Sequence, residues 1–279
     1  MVLILPAMII LLLLFVGGFL FGILQSFGYF SVIASGDHKI SFDAYRAVFQ
    51  NPNVRAGLFL TFRVAFISTF LATIFAFFIS LMIVRTKRFQ SFWIAITQFN
   101  IPIPHTVAAV SILFTFSQSG ILSRFSNHLG FTKGTSDFPI ITNDKFGFAI
   151  ILSYLWKEIP FLCILILSAL RGTVTYLDET AKTLGASYRH RLSKIVLPYI
   201  FPSILSGTII VFAFSFGSYE VPYILGQTYP STVSVVAYQL YTNRDLSNRP
   251  LAMALATLTS LLIGAMVFGY MKLTQKERV

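Results

Sequence analysis

Residues 178–198 read DETAKTLGASYRHRLSKIVLP, a long polar segment that lies between apolar runs. Its apolar side chains recur at spacings of three and four, which predicts helices with one apolar side; these residues are Leu177, Ala181, Leu184, Tyr188, Leu192 and Ile195. Gly185 separates two halves and predicts a turn, whereas Pro198 is expected to end the second half. The segment therefore predicts a helical hairpin with an apolar side for docking.

The sequence around this hairpin is apolar enough for a polytopic membrane protein. Hydrophobic residues make up 56% of the 279 residues, charged residues make up 11%, and Phe occurs 30 times. The net charge of +11 comes from clusters at the ends of apolar runs rather than from one basic face, so we expect no nucleic-acid binding. The single cysteine, Cys163, lies in an apolar run and excludes both an intrachain disulfide and a multi-cysteine metal site.

Six apolar runs are long enough to cross a bilayer, and we predict an all-α fold of six transmembrane helices. They lie near residues 3–24, 57–84, 93–117, 147–170, 199–218 and 250–272. The first run has no basic residues before it and is interpreted as a retained helix rather than a signal peptide. Of the 21 Lys and Arg residues, 11 fall in the pieces 85–88, 171–198 and 272–279, including Lys87 and Arg278. The positive-inside rule places these pieces, and hence both termini, in the cytoplasm.

The polar segments between the other runs are expected outside the membrane on the far side. Residues 25–56 contain a short amphipathic pattern from Phe42 to Phe49, which Asn51 and Pro52 should stop. Residues 118–146 contain a possible short helix from Ile121 to Leu129. Arg63 conflicts with the second span, so either that span starts later or the arginine side chain reaches outward.

Two spans contain groups that a membrane helix does not normally tolerate. Residues 101–105 read IPIPH, and two prolines this close predict a break in the third span, with His105 near the middle of the bilayer. A break at membrane depth must face protein or water. The fourth span carries Lys157 and Glu158, each costing about 2.5 to 3.5 kcal/mol at a helix centre. Because adjacent helical side chains diverge, these two are expected to bond to other spans rather than to each other.

These groups are the candidates for a translocation path: Asn100, His105, Lys157, Glu158 and Glu220. Each has a second interpretation. His105 either contacts the solute or satisfies carbonyls freed by the prolines, and Lys157 and Glu158 either line the path or tie helices together. Glu220 is either a gate or binding-protein contact, or a solvated carboxylate at a helix end.

The sequence contains none of the common catalytic motifs. It lacks a Gly-x4-Gly-Lys-Ser/Thr phosphate loop, a His-Glu-x-x-His motif and a Gly-x-Ser-x-Gly elbow. We therefore predict no catalytic residue, no metal site and no ATP hydrolysis by this chain. A transport function would need energy from a separate subunit.

The hairpin carries a family resemblance. Glu179, Ala181, Gly185, Ile195, Leu197 and Pro198 match the spacing of the cytoplasmic loop in permease subunits of binding-protein-dependent ABC importers. The chain departs once, with Thr180 where that family has a second alanine. Two further segments, 219–226 and 42–54, are similar to those of the polyamine, ferric-iron, thiamine and phosphonate permeases.

The resemblance implies a type I ABC importer permease fold, with the first span and outer segment in residues 1–56 and the permease core in 57–279. It implies that the six matching residues couple the chain to two ATPase subunits, which would bind the ATP and magnesium while this chain binds no cofactor. It also implies a second permease, identical or paralogous, and an extracytoplasmic binding protein, in contact with lipid at the bacterial inner membrane. A polyamine is the first expected substrate. The alternatives are thiamine, ferric iron or a phosphonate, or a stand-alone secondary transporter.

Overall fold

The computed structural model describes residues 4–29, 40–86 and 88–276. Within these ranges the chain is predominantly helical and contains no β-strand. The helices are α1 (Leu5–Ser26), α2 (Asp43–Gln50), α3 (Pro52–Arg85), α4 (Gln90–Gln98), α5 (His105–Phe116), α6 (Ile121–His128), α7 (Phe148–Leu170), α8 (Thr173–Thr183), α9 (Tyr188–Arg191), α10 (Leu197–Gly217), α11 (Glu220–Leu225), α12 (Val233–Tyr241) and α13 (Arg249–Lys276). Lys87 and Arg278, two of the predicted orienting charges, lie outside the described residues, as do residues 30–39.

Six helical stretches of the described chain are long and apolar enough to cross a membrane, which confirms the predicted six-span, all-α fold. They are Leu5–Ser26, Pro52–Arg85, His105–His128, Phe148–Leu170, Tyr188–Gly217 and Leu246–Lys272. The side chains of α1 are apolar and exposed around most of the helix, as expected for a helix that faces lipid. The short helices predicted near 42–49 and 121–129 are confirmed as α2 and α6.

The third span was predicted with the wrong extent. The break at the two prolines is present, but it separates the nine-residue α4 from α5, and the third candidate span begins only at His105. Pro102 and Pro104 each lack an amide hydrogen, so a helix cannot continue unchanged through residues 99–104. The prediction of a break was confirmed, whereas the prediction of one span over 93–117 was wrong.

The second span begins earlier than predicted, at Pro52, because a proline is compatible with the first turn of a helix. The conflict over Arg63 is resolved by its contacts. Its Nη2 donates to the backbone oxygen of Lys145 at 2.6 Å, and its guanidinium lies 4.8 Å from the ring centre of Phe146. The charge is therefore held by a loop rather than left among apolar side chains.

Pro198 does not end the second half of the hairpin, and that prediction was wrong. The helix is continuous from Tyr188 to Gly217, and residues Leu192–Val196 adopt a π-helical turn in which the amide of Leu197 donates to the oxygen of Leu192. The wider turn precedes Pro198, which then occupies the start of α10, where its missing amide hydrogen is tolerated.

The chain forms two compact units, one of Met1–Thr61 with Tyr229–Met266 and one of Phe62–Thr228 with Val267–Val279. In the first unit, Val48, Val54, Val233 and Leu255 form part of a buried core. Gly57 is needed there, because an added Cβ would lie 2.6 Å from the backbone oxygen of Ser231.

The second unit is built around α3, α7 and α10. Ala72, Ala76, Ile166 and Ile200 belong to its buried core. Gly207 permits α10 to approach α7 closely, because a Cβ at this position would lie 2.8 and 2.9 Å from leucine side chains of α7. This packing fixes the two helices that supply the polar groups of the candidate site.

Candidate functional site

The hairpin of residues 173–198 turns at Gly185, as predicted. Its φ of +83° lies in the left-handed region, and the amides of Gly185 and Ala186 donate to the oxygens of Lys182 and Ala181. These two bonds form a Schellman motif, which ends α8 and satisfies its last carbonyls. Ser187 then caps α9 by accepting from the amide of His190 at 3.4 Å. The turn is thus encoded by residues adjacent to it in the sequence.

An open apolar groove of about 550 Å³ runs along this hairpin. It is lined by Leu177, Thr180, Ala181, Leu184, Lys194, Ile195, Pro198 and Tyr199. Three of the predicted coupling residues are therefore in the groove, while Glu179 and Leu197 are exposed beside it and Gly185 forms the turn. Leu184 is 82% exposed. The hairpin thus presents apolar surface among charged side chains.

The hairpin is attached to the rest of its unit by a polar cluster that the sequence did not indicate. The guanidinium of Arg85, at the end of α3, lies 3.9 Å from the ring centre of Tyr188. The guanidinium of Arg191 lies 5.9 Å from the centre of the same ring. Arg191 also donates hydrogen bonds to the backbone oxygen and to Oδ2 of Asp178, each at 3.1 Å. Tyr188 therefore links α9 to α3, and Arg191 links α9 to α8.

A separate cavity of about 220 Å³ lies in the same unit, lined by Ile101, His105, Lys157, Glu158, Phe161, Ile210, Val211 and Phe214. It brings together three of the five predicted path residues, His105, Lys157 and Glu158. Asn100 is buried but does not line this cavity, and Glu220 is exposed at the start of α11. The predicted convergence of all five groups is therefore only partly present.

Side-chain hydrogen bonds from Lys157 and Asn100 connect α7 to the broken segment at residues 99–104, in both directions. Lys157 Nζ donates to the backbone oxygens of Asn100, Ile101 and Ile103 at 2.8, 3.0 and 2.6 Å. In return, Asn100 Nδ2 donates to the oxygen of Trp156, which Pro160 leaves without its usual helical donor. Prolines thus free carbonyls in both segments, and each segment supplies the donors for the other.

Glu158 contacts α10. Ser215 Oγ donates to Glu158 Oε1, and Glu158 is only 3% exposed. Among the described residues, no hydrogen-bond donor reaches the other carboxyl oxygen, Oε2. As predicted, Lys157 and Glu158 bond to different segments rather than to each other.

His105 does not satisfy the carbonyls freed by the prolines, because Lys157 takes that place. The imidazole lies against Phe214, with ring centres 4.6 Å apart. Sequence reasoning missed Ser215 and Phe214, which lie in a predominantly apolar run. The one available signal was the membrane carboxylate itself, since Glu158 requires a donor from another helix.

Six candidate membrane spans, a cavity within the second unit and an exposed hairpin are the features of a multi-pass membrane protein. Residues 54–278 match the family described as the binding-protein-dependent transport system inner membrane component, and the chain belongs to that family. It is therefore a permease subunit of an ABC importer and a multi-pass protein of the inner membrane.

Its relatives differ in the solutes named for them. The chain is 26% identical to the inner membrane ABC transporter permease protein YnjC of Escherichia coli over 82% of this chain, which is only 43% of YnjC. It is 21% identical to the molybdenum transport system permease protein ModB of Mycobacterium bovis over 83% of this chain and 84% of ModB. It is 28% identical to the spermidine/putrescine permease PotC homolog of Mycoplasma genitalium over 53% of this chain and 45% of that protein.

The fold is similar to that of a solved bacterial ABC transporter involved in the import of the acidic polysaccharide alginate. The TM-score is 0.81 at 20% identity, over 98% of this chain and 93% of the other. This similarity confirms the importer permease fold.

Proposed function

We propose that this permease is driven by a separate ATPase that docks on the hairpin of residues 173–198. The observation that supports the proposal is the 82% exposure of Leu184 beside an apolar groove of about 550 Å³. Exposed apolar patches with polar rims are typical of protein interaction sites. Glu179 and Lys194, on either side of the turn, provide the charged rim.

The proposed mechanism uses the continuous helix from Tyr188 to Gly217 as the transmitting element. Thirty residues at the helical rise extend about 45 Å. One end of this helix lies in the hairpin, and the other supplies Ile210, Val211 and Phe214 to the cavity. Closure of an ATPase pair would move the hairpin, and a rigid helix would carry that displacement to the cavity wall.

The complete transporter is proposed to contain two ATPase subunits that bind ATP and magnesium, a second permease and an extracytoplasmic binding protein. The hairpin and both termini would lie in the cytoplasm, as the distribution of Lys and Arg favours. A solved bacterial alginate ABC transporter of similar fold is in complex with its alginate pentasaccharide-bound periplasmic protein, which supports the binding-protein partner.

We propose a polyamine as the transported solute, with thiamine, ferric iron and phosphonates as the alternatives. The similarity to the spermidine/putrescine PotC homolog supports this choice. The similarities to molybdenum and sulfate permeases favour oxyanions instead. The two classes of solute differ in charge and in hydrogen bonding, because an amine donates hydrogen bonds and an oxyanion accepts them.

The test is uptake and ATPase activity of the reconstituted complex, with the Glu179→Lys variant beside the wild type. ATP-dependent uptake should be present in the wild type and lost in the variant, because the reversed charge lies on the docking surface. Asp43→Lys is the matched control, since Asp43 is also exposed and its 3.9 Å pair with Arg46 contributes little. Uptake by the chain alone down an ion gradient, unchanged by Glu179→Lys, would instead establish a secondary transporter.

A further inference from the structure

We propose that the cavity of the second unit binds an ammonium or amine group of the solute at Glu158 Oε2 and does not bind an oxyanion. This inference rests on the proposed transport function and specifies its substrate class. By sequence, Lys157 and His105 suit an anion as well as Glu158 suits a cation. The hydrogen bonds in the structure favour a cation over an anion.

The Lys157 ammonium has no donor left for a solute. An ammonium group has three hydrogens, and Lys157 Nζ lies within 3.0 Å of three backbone oxygens of residues 100–103. An oxyanion in the cavity would have to displace one of these bonds. At Ile101 or Ile103 this would leave a backbone carbonyl without a donor, which offsets the gain. At Asn100, whose oxygen also accepts from the amide of Ile103, it would still remove a bond to a charged donor. Lys157 is therefore committed to the broken segment rather than to a ligand.

Glu158 has the opposite arrangement. One carboxyl oxygen accepts from Ser215 Oγ, whereas Oε2 has no partner among the described residues. The residue is 3% exposed and lines the cavity, and Oε2 itself is buried, so an amine reaches it once a neighbouring side chain shifts. A buried acceptor without a donor is costly, so a donor that enters the cavity gains the bond that the protein does not supply. The unpaired Oε2 of Glu158 therefore favours amines, which donate hydrogen bonds, over oxyanions, which accept them.

The remaining walls suit the carbon chain of an amine. Phe161, Ile210, Val211 and Phe214 provide apolar and aromatic surface around the carboxylate. Methylene groups can contact the aliphatic side chains, and an ammonium group is attracted to the face of an aromatic ring. The imidazole of His105 lies against Phe214 and adds a further polar edge to the same wall. The cavity thus combines one hydrogen-bond acceptor, the Glu158 carboxyl group, with apolar walls, which suits an amine that carries a carbon chain.

The first measurement is binding by the full chain in lipid nanodiscs. Methylammonium or putrescine at millimolar concentration should raise the unfolding temperature of the wild type, since a ligand that binds the folded state stabilises it. Sulfate and molybdate at the same ionic strength should not. A rise with sulfate or molybdate, and none with either amine, would overturn the inference without the use of any variant.

The second measurement uses Glu158→Gln, which keeps the side-chain length and can still accept from Ser215. Putrescine binding should weaken by about tenfold or more, because a bond to a charged acceptor is lost. Thr73→Val is the control, since it removes a 3.0 Å hydroxyl contact with Thr208 that lies in the same unit but does not line the cavity. Equal putrescine affinity in the wild type and Glu158→Gln would contradict the inference.

The two proposals fail in different ways. Amine binding that depends on Glu158, without ATP-driven uptake by the complex, would support the site and contradict the proposed energy source. ATP-driven uptake of sulfate by a chain that binds no amine would support the transport function and refute the amine site.

Discussion

The hairpin of residues 173–198 and the break at residues 99–104 both interrupt helices of the second unit, but their polar groups are satisfied in different ways. The hairpin uses neighbouring residues: the amides of Gly185 and Ala186 bond the end of α8, and Arg191 reaches Asp178 thirteen positions earlier. The break depends on a residue from another helix, since Lys157 is more than fifty positions away.

This difference has an energetic consequence. Most of the hairpin is exposed, and water can replace a lost contact there. The break is held by Lys157, which is only 6% exposed, and loss of its ammonium group leaves the carbonyls of Ile101 and Ile103 without donors. We therefore expect substitutions at the break to reduce stability, and substitutions at the hairpin to reduce partner binding while stability is retained.

The largest expected effect is that of Lys157→Met on stability. Methionine keeps most of the side-chain length but removes all three hydrogen bonds to residues 100–103. The oxygens of Ile101 and Ile103 lose their donor, whereas that of Asn100 still accepts from the amide of Ile103. Because an acceptor left unpaired costs about 1 to 3 kcal/mol, the free energy of unfolding should fall by about 2 kcal/mol or more. Thermal unfolding of the purified protein in detergent measures this change.

Lys133→Met provides the control for Lys157→Met, since Lys133 is an exposed lysine outside the break. It should change the unfolding temperature very little. If both variants lose the same stability, the carbonyl contacts of Lys157 do not hold the break.

Leu184→Asp should have the next largest effect, but on ATPase binding. A charge at the edge of the groove opposes apolar docking, so the affinity of the ATPase should fall about tenfold or more. Stability should change by less than about 0.5 kcal/mol, because the side chain is 82% exposed. Leu129→Asp, at a leucine that is 52% exposed outside the hairpin, is the matched control. Normal ATPase affinity for Leu184→Asp would show that the groove is not the docking surface.

Tyr188→Leu tests the link between the hairpin and α3. The variant removes the aromatic ring that Arg85 contacts at 3.9 Å, an interaction worth about 1 kcal/mol. The ATPase should still bind, but uptake per ATP hydrolysed should fall about fivefold, as that free energy implies. Tyr241→Leu removes the ring beneath Arg249 at 5.2 Å and serves as the control. An unchanged uptake ratio in Tyr188→Leu would mean that this contact does not transmit force.

Sequence reasoning succeeded where the controlling residues are close together. Six spans follow from apolar length, the turn follows from Gly185, and the break follows from Pro102 and Pro104. These features require no knowledge of which helices meet. The same reasoning placed Lys157 and Glu158 correctly as groups that need partners on other spans.

The remaining features depend on helix packing and could not be predicted. Ser215 reaches Glu158 only because α10 lies against α7, and nothing distinguishes Ser215 from the other hydroxyl residues of its mainly apolar run, such as Ser206 and Thr208. Pro198 was misinterpreted as a helix end because the π-helical turn before it has no clear sequence pattern. The spacing of residues also could not show that Glu220 does not line the cavity, because it gives the order of residues along the chain but not their positions in the folded bundle.

The smallest expected effect is that of Gly185→Ala, which tests how far the hairpin depends on its local turn. There is space for a methyl group at Gly185, because nothing lies within 4 Å of an added Cβ, so its φ of +83° is the sole obstacle. Left-handed backbone costs an alanine about 1 kcal/mol, which should loosen the Schellman motif and weaken ATPase binding about two- to fivefold.

Gly134→Ala isolates the backbone contribution in this last case. Gly134 has equally open surroundings but an extended conformation, with φ of −179°, which alanine adopts without strain. A titration of the ATPase against each variant in nanodiscs should therefore show weaker binding for Gly185→Ala alone. If both variants bind as the wild type does, the shape of the turn is not what presents Leu184, and the groove must be positioned instead by the contacts of Tyr188 and Arg191.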